Sequence, residues 1–194
     1  GWVTGRGGAF VVALAGTAAQ AQAGRWAFDG AASYGAAGVQ LERLTLRPLD
    51  GADEMQWQGS WSGGAATVTA QWVGLSHPRL PGWHSHGRLE ATGLPSDYRG
   101  RLALELAAAG LPPIQVSTEF AGDYTGVDVS SLTGQWLAGD WRGAATLDWR
   151  DGLAWYGRLQ ADGVEPGRLD TRWSGRFGAE AEVSGHLRDG FRLD

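Results

Sequence analysis

The stretch AATVTAQW, residues 65–72, decides the fold because its side chains alternate strictly between apolar and polar types. The apolar ones share the even positions: Ala66, Val68, Ala70 and Trp72. Successive side chains of a β-strand point to opposite faces of the sheet, so this alternation is typical of a strand buried on one face only. A helix would need apolar residues that recur three and four positions apart in turn, whereas from Ala66 onward they recur at every second position.

The same alternation recurs at residues 100–106, 113–120, 145–150, 153–162 and 178–185. One stretch, RLALELAAAG at residues 101–110, would also suit a helix. Asp-Gly pairs favour tight hairpins, and we expect turns at 29–30, 50–51, 151–152, 162–163 and 189–190. Strands of about six residues joined by short turns predict an all-β fold with mostly antiparallel pairing.

The composition excludes several classes of function. No cysteine is present, which rules out disulfides, cysteine-ligated zinc and thiol catalysis. The net charge of −5 argues against a nucleic-acid partner, which requires a basic face. The longest apolar run, residues 9–16, is far shorter than the roughly 20 residues of a membrane-spanning helix.

The chain contains an internal repeat, with one unit at about residues 41–93 and a second at about residues 128–185. Each unit has a Leu-Thr strand, a Trp-x-Gly strand, an Arg-Leu step beside a proline, and a closing strand. The Arg-Leu steps are Arg79-Leu80 and Arg168-Leu169. A repeated β unit of this length predicts an extended sheet that grows by adding strands, so we expect residues 1–194 to form one continuous segment.

These repeated sequence motifs resemble the periplasmic body of the TamB family and, more broadly, the AsmA-like proteins with repeating β-grooves. The likeness covers most of residues 39–193. In the first unit it rests on Trp57-Gln58-Gly59, Pro78-Arg79-Leu80 and Gly87-Arg88-Leu89. In the second it rests on Trp141-Arg142-Gly143, Pro166-Gly167-Arg168-Leu169 and Trp173-Ser174-Gly175.

The resemblance implies a sheet folded lengthwise into a half-pipe that shields phospholipid acyl chains, or nascent outer-membrane polypeptide, between the two membranes of a Gram-negative bacterium. It implies a periplasmic location, an inner-membrane anchor outside this sequence, and the outer-membrane barrel TamA as a partner of the full chain. The sequence would then be a mid-chain segment of a longer protein. No enzymatic activity and no cofactor are implied.

We predict that the apolar side chains, which share one face of each strand, line the groove. The predicted lining residues are Val68, Ala70, Trp72, Leu89, Leu102, Leu104, Leu106, Ile114, Val116, Phe120, Leu147, Trp149, Trp155, Leu159, Ala181 and Val183. No second set of elements is evident to cover this face, so a curled sheet with an apolar concave side satisfies the pattern.

Three other interpretations remain open at this level. Alternating apolar residues are equally typical of a closed β-sandwich or barrel core. The 11 tryptophans would suit a carbohydrate-binding module, in which aromatic rings form platforms for sugars. A surface adhesin or autotransporter passenger is also β-repetitive and glycine-rich, although it would favour polar ladders.

Candidate catalytic or metal-binding groups are few. His84 and His86 share one strand parity, with His77 nearby, but solvated histidines explain them better than a metal site. Glu180 and Glu182 share a face, as a glycosidase pair would, yet a charged outer face explains them equally simply. We therefore predict neither a catalytic site nor a metal site.

Overall fold

The computed structural model of the chain describes residues 1–6, 9–20, 24–49, 53–77 and 80–187. The chain divides into two compact units, which are Gly1–Leu94 (unit 1) and Pro95–Asp194 (unit 2). Unit 1 contains seven of the described strands and unit 2 contains six. The only helix among the described residues is a three-residue 3-10 turn, Pro166–Arg168.

The strands of unit 1 are β1 (Trp2–Arg6), β2 (Ala9–Gln20), β3 (Gly24–Gly35), β4 (Gly38–Pro48), β5 (Glu54–Ser62), β6 (Ala65–His77) and β7 (Leu80–Leu94). Those of unit 2 are β8 (Asp97–Ala108), β9 (Leu111–Gly122), β10 (Gly126–Trp136), β11 (Gly139–Asp148), β12 (Leu153–Val164) and β13 (Phe177–Leu187). Most are about twice as long as the six residues expected for a strand from the sequence.

Each strand of a unit pairs antiparallel with the next strand in sequence, from β1 to β7 in unit 1 and from β8 to β13 in unit 2. The predicted fold class, an open, curved and antiparallel all-β sheet, is therefore confirmed for each unit. The stretch that would also suit a helix, residues 101–110, forms the end of β8 and a turn. Each predicted repeat spans four strands, from β4 to β7 and from β10 to β13. The single continuous groove over residues 1–194 stays a prediction.

Irregular pairing interrupts several of these long ladders. Register shifts occur between Leu41 and Leu44 in β4, between Val129 and Leu132 in β10, and between Trp72 and Leu75 in β6. An extra residue at a β-bulge bends the strand and increases its twist. Every side chain after the bulge then lies on the face opposite to the one that simple alternation predicts. The strand therefore continues beyond the point at which simple alternation ends in the sequence.

The turn predictions were partly wrong. Asp151-Gly152 lies in the connection between β11 and β12, as predicted. Asp29-Gly30 instead lies inside β3, because cross-strand pairing to Ala15, Leu14, Thr45 and Leu44 outweighs the local turn preference. Gly163 has a positive φ of 71° but belongs to β12, beside a register shift. The predictions at 50–51 and 189–190 lie outside the described residues.

A turn without glycine joins β10 to β11. Leu137 and Ala138 both have positive φ, 52° and 62°, a conformation that costs residues other than glycine roughly 1–2 kcal/mol each. Leu137 is nevertheless only 3% exposed, and its carbonyl accepts a hydrogen bond from the Glu165 amide at 2.9 Å. Burial of the leucine side chain offsets the backbone strain, whereas the exposed Ala138 has no such compensation.

We expect Ala138→Gly to raise the free energy of unfolding by roughly 0.5–1 kcal/mol, because relief of left-handed strain exceeds the added flexibility of the unfolded chain. Chemical denaturation measures this change. The matched control is Ala37→Gly, in a turn whose alanine has no positive φ, and it should lower the same free energy. Equal destabilisation by both substitutions would contradict the prediction.

Candidate functional site

The apolar face of unit 1 consists of rows of side chains that run across the strands. Residues directly opposite each other in a ladder lie on the same face, so the pairing defines each row. One row, from β2 to β7, is Gly16, Phe28, Leu46, Met55, Trp72 and Gly87. The next two are Leu14, Gly30, Leu44, Trp57, Ala70 and Leu89, and then Val12, Ala32, Leu41, Gly59, Val68 and Ala91.

The apolar face of unit 2 is built in the same way from β8 to β13. Its rows are Tyr98, Gly122, Val127, Leu147, Trp155 and Gly185; Gly100, Phe120, Val129, Ala145, Gly157 and Val183; Leu102, Thr118, Leu132, Gly143, Leu159 and Ala181; and Leu104, Val116, Gly134, Trp141, Ala161 and Ala179. Leu106 and Ile114 continue the face beyond the last row. Two residues in these rows carry a hydroxyl group: that of Thr118 donates to the Glu119 carbonyl at 3.3 Å, and that of Tyr98 donates to the Gly126 carbonyl at 3.2 Å.

Almost all of the predicted lining residues lie on these two faces. Unit 1 holds Val68, Ala70, Trp72 and Leu89. Unit 2 holds Leu102, Leu104, Leu106, Ile114, Val116, Phe120, Leu147, Trp155, Leu159, Ala181 and Val183. Their role in lining a groove remains a prediction.

Trp149 is the exception. β11 ends at Asp148, so Trp149 lies outside the strand ladder and not in a row. Its amide donates to the Thr125 carbonyl at 2.9 Å and its indole donates to the Tyr124 carbonyl at 2.7 Å. These bonds to the 123–125 connection hold the ring at the end of the sheet, where simple alternation had placed it inside a strand.

Sequence reasoning missed several large side chains of the faces. They are Phe28, Leu44, Leu46, Met55 and Trp57 in unit 1, and Val127, Val129, Leu132 and Trp141 in unit 2. In β4 and β10 the apolar residues change parity at a bulge, from Leu41 to Leu44 and from Val129 to Leu132. The repeated Trp-x-Gly motif was the available signal for Trp57 and Trp141, since each of them is the first residue of such a motif.

Within the described residues, neither apolar face has a second layer in its own unit. Among the described residues, the only apolar side chains classed as buried are Ala70 and Leu137, and no large side chain is fully buried. Several large members of the rows are substantially exposed, including Leu14 at 59%, Val183 at 57% and Leu159 at 38%. A protein of this length ordinarily encloses a core of large apolar residues, so this arrangement leaves an extensive apolar surface available.

A family model described as TamB, N-terminal domain, matches residues 81–193, which is more than half of the chain. The chain belongs to the TamB family. The match includes all of unit 2 up to residue 193 and most of β7. No solved structure matches the chain. Among the described residues, no helix is long and apolar enough to cross a membrane.

The opposite, polar face of this TamB-family chain is held by ion pairs between neighbouring strands. Arg101 meets Glu119 at 3.0 Å, and Arg43 meets Asp29 at 3.3 Å. Arg47 and Gln56 donate hydrogen bonds that lower the pKa of the Glu54 carboxyl, with Arg47 making the largest contribution. Because these groups are exposed, they favour solubility and strand register more than they add to stability.

The residues considered for catalysis or metal binding lie on this polar face. Glu182 is directly opposite Arg158 and forms an ion pair with it, while the adjacent acidic residue, Glu180, faces Gln160. His84 and His86 are exposed, and the His84 ring lies 3.4 Å from the Gly74 carbonyl. The side chain of His77 lies outside the described residues. Within the described part of the chain, no three potential ligands are grouped closely enough to hold a metal.

The connection between β12 and β13 forms an open pocket of about 500 Å³ away from the rows. Arg168 and Arg176 both donate to the Glu165 carboxylate, at 3.2 and 2.9 Å, and thereby lower its pKa. Trp173 lines the same pocket and is 60% exposed. Because the carboxylate engages both guanidinium groups, the main function of this cluster is to order the connection.

We expect a low heat-capacity change on unfolding for this TamB-family chain. A typical globular protein shows about 12–15 cal/mol/K per residue, or about 2.3–2.9 kcal/mol/K for 194 residues. The apolar faces are already partly hydrated in the folded state, so unfolding exposes less new apolar surface and the value should lie below this range. Calorimetry over a series of pH values measures it. A value inside the range would indicate an enclosed core.

Proposed function

We propose that this chain is a segment of an envelope-spanning TamB-family protein that shields phospholipid acyl chains on its apolar faces. The observation that supports the proposal is the pair of sheet faces whose apolar rows are aligned and which no other described element of the same unit covers. An uncovered apolar surface of this extent requires an apolar guest, because water in contact with it is unfavourable. Curling of the sheet into a half-pipe would enclose such a guest.

The dimensions of the rows suit an acyl chain. A row that crosses six strands spans five gaps of about 4.8 Å, or about 24 Å in all. One leaflet contributes about half of the roughly 30 Å hydrocarbon core of a bilayer, so one acyl chain spans about 15 Å. Each unit is therefore wide enough to cover a whole chain laid along a row.

Contact with a row lowers the free-energy cost of taking a lipid out of the bilayer. Each methylene that leaves water for an apolar surface contributes about 0.8 kcal/mol, so partial contact along a row offsets part of the loss of the bilayer environment. The rows contain almost no polar group that would bind the acyl chain at one fixed position. A uniform surface of this kind favours sliding along the row over tight capture at one point.

The family supports the rest of the proposal. The chain would lie in the periplasm, with an inner-membrane anchor in another part of the protein, and would act with the outer-membrane barrel TamA. Its guest would be phospholipid or a nascent outer-membrane polypeptide, and its action would support outer-membrane homeostasis, secretion and autotransporter assembly. The role is that of a conduit, without catalysis.

A carbohydrate-binding module is a weaker explanation of the same structure. Sugars need hydrogen-bonding side chains beside an aromatic platform, and both hydroxyl groups in the rows of unit 2, those of Thr118 and Tyr98, donate to backbone carbonyls. A β-sandwich module also needs a second sheet within its domain, and neither unit has one in its described residues. An adhesin would have polar ladders on both faces of the sheet.

A charge on the apolar face tests the proposal. Leu104→Arg and Leu147→Arg should fold, because an open face lets water reach the guanidinium, whereas in a sealed core an unpaired charge would cost several kcal/mol. Leu104→Arg should reduce crosslinking of phospholipid from vesicles to a photoreactive residue at position 116, directly opposite Leu104, and Leu147→Arg should reduce it at position 127, directly opposite Leu147. Circular dichroism reports folding, and mass spectrometry reports the lipid adduct.

The matched control is Ala103→Arg, which places the same charge one residue away on the exposed polar face of β8. It should leave crosslinking unchanged. Unfolding of both apolar-face variants would favour an enclosed core, and equal loss in the control would show a non-specific charge effect. Wild-type protein that never crosslinks lipid but binds polysaccharide would reject the conduit in favour of a glycan module.

A further inference from the structure

Tryptophan rings on the apolar faces lie against glycines of the neighbouring strand. A Cβ atom added to Gly87 would come closer than 3.0 Å to the ring of Trp72, and one added to Gly185 would come as close to the ring of Trp155. In both pairs the nearest ring atoms are Cζ2, Cε2 and Cη2, so the same edge of the indole covers the glycine. Each ring therefore lies low along the sheet instead of standing on it.

The two pairs occupy equivalent positions in the repeat. Trp72 is on β6 and Trp155 is on β12, each the third strand of its four-strand repeat. Gly87 and Gly185 are on the fourth strands, directly opposite their tryptophans in the register. Since the two repeats have different sequences around these points, the shared geometry indicates a shared requirement.

Glycine is needed at these positions for space and not for backbone conformation. Neither Gly87 nor Gly185 has a positive φ, and for both the nearest neighbours of an added Cβ are atoms of the ring. The third such pair, Trp141 over Gly134, differs because an added Cβ there would also collide with the Gln115 carbonyl. A methyl group at position 87 or 185 would therefore move the ring and leave the ladder in place.

A hydrogen bond holds the Trp72 ring close to the sheet. The Trp72 indole donates to the Ser85 hydroxyl at 3.1 Å, and that hydroxyl donates to the Leu75 carbonyl at 3.1 Å. This arrangement satisfies the indole N–H within the sheet, so the ring presents only carbon to the space above the face.

We infer that Trp72 and Trp155, each held flat over its facing glycine, are positioning residues that keep the row low enough for an extended apolar chain to pass. The inference rests on the proposed function and specifies a guest that is thin, unbranched and laid along the row. A ring lifted from the sheet would stand across the row that contains Met55 in unit 1 or Leu147 in unit 2.

The experiment uses Gly87→Ala and Gly185→Ala, with photoreactive residues at positions 55 and 147 in the respective rows. In these variants the yield of crosslinks to phospholipid from vesicles should fall at least about threefold relative to the parent protein, because the displaced ring occupies the path of the guest. The matched control is Gly178→Ala, which lies on the polar face of β13 next to Ala179, where an added Cβ would be 3.4 Å from the Ala161 carbonyl and would meet no ring. Crosslinking in this control should not change.

A rescue variant separates ring displacement from a general structural defect. Gly87→Ala combined with Trp72→Leu retains an apolar side chain but removes the ring, and should restore crosslinking at position 55. Fluorine NMR of 5-fluorotryptophan, assigned with Trp72→Phe and Trp155→Phe, reports the ring positions directly. The resonance of each ring should shift in its own glycine variant only.

The outcomes distinguish this inference from the proposed function. Absence of lipid crosslinking in the parent protein would reject the conduit, and the fluorine spectra alone would then decide whether the glycines hold the rings. Unmoved fluorine resonances in the glycine variants would overturn the inference whatever the lipid result. Crosslinking that falls equally in Gly178→Ala, or that the leucine variant fails to restore, would overturn it as well.

Discussion

Hydrogen bonding between successive strands holds this structure together. Each described strand pairs with its sequence neighbours within its unit, while Ala70 and Leu137 are the only buried apolar side chains among the described residues. Most domains are held by a core enclosed between two layers, and strand pairing then merely orders that core. Here the hydrogen-bonded ladder of strands itself stabilises the fold, so side chains on one face are free to serve a purpose other than stability.

That division explains the contrast between the two faces. On the polar face, Arg101 with Glu119 and Arg158 with Glu182 pair across adjacent strands and keep the register. On the apolar face the same register aligns small and large residues in rows, and glycines opposite tryptophans keep bulky rings close to the sheet. The resulting surface is broad and chemically uniform, which suits a guest that moves along it and is poorly suited to a reaction at one point.

Much of this could be predicted because alternation is a local property. The strands around Val68, Leu104, Val116 and Leu159 follow from side chains that alternate along a few residues, and their sharing of a face follows from antiparallel pairing. The predictions failed where distant pairing overrode a local signal. Asp29-Gly30 has the composition of a turn but lies within β3, and Trp149 continues the alternation of β11 but lies beyond its last residue.

Residue order over short distances was sufficient to predict the all-β class, the TamB-like character and the separation of apolar from polar positions. Which residues share a row depends on strand pairing, and therefore emerges only in the tertiary structure. A bulge adds one residue and reverses the parity that follows, so Leu132 joins Leu102 and Leu159 only through the pairing of strands. The structure also decided that Trp72 and Trp155 lie over glycines far along the chain, since that contact exists only once neighbouring strands are in register.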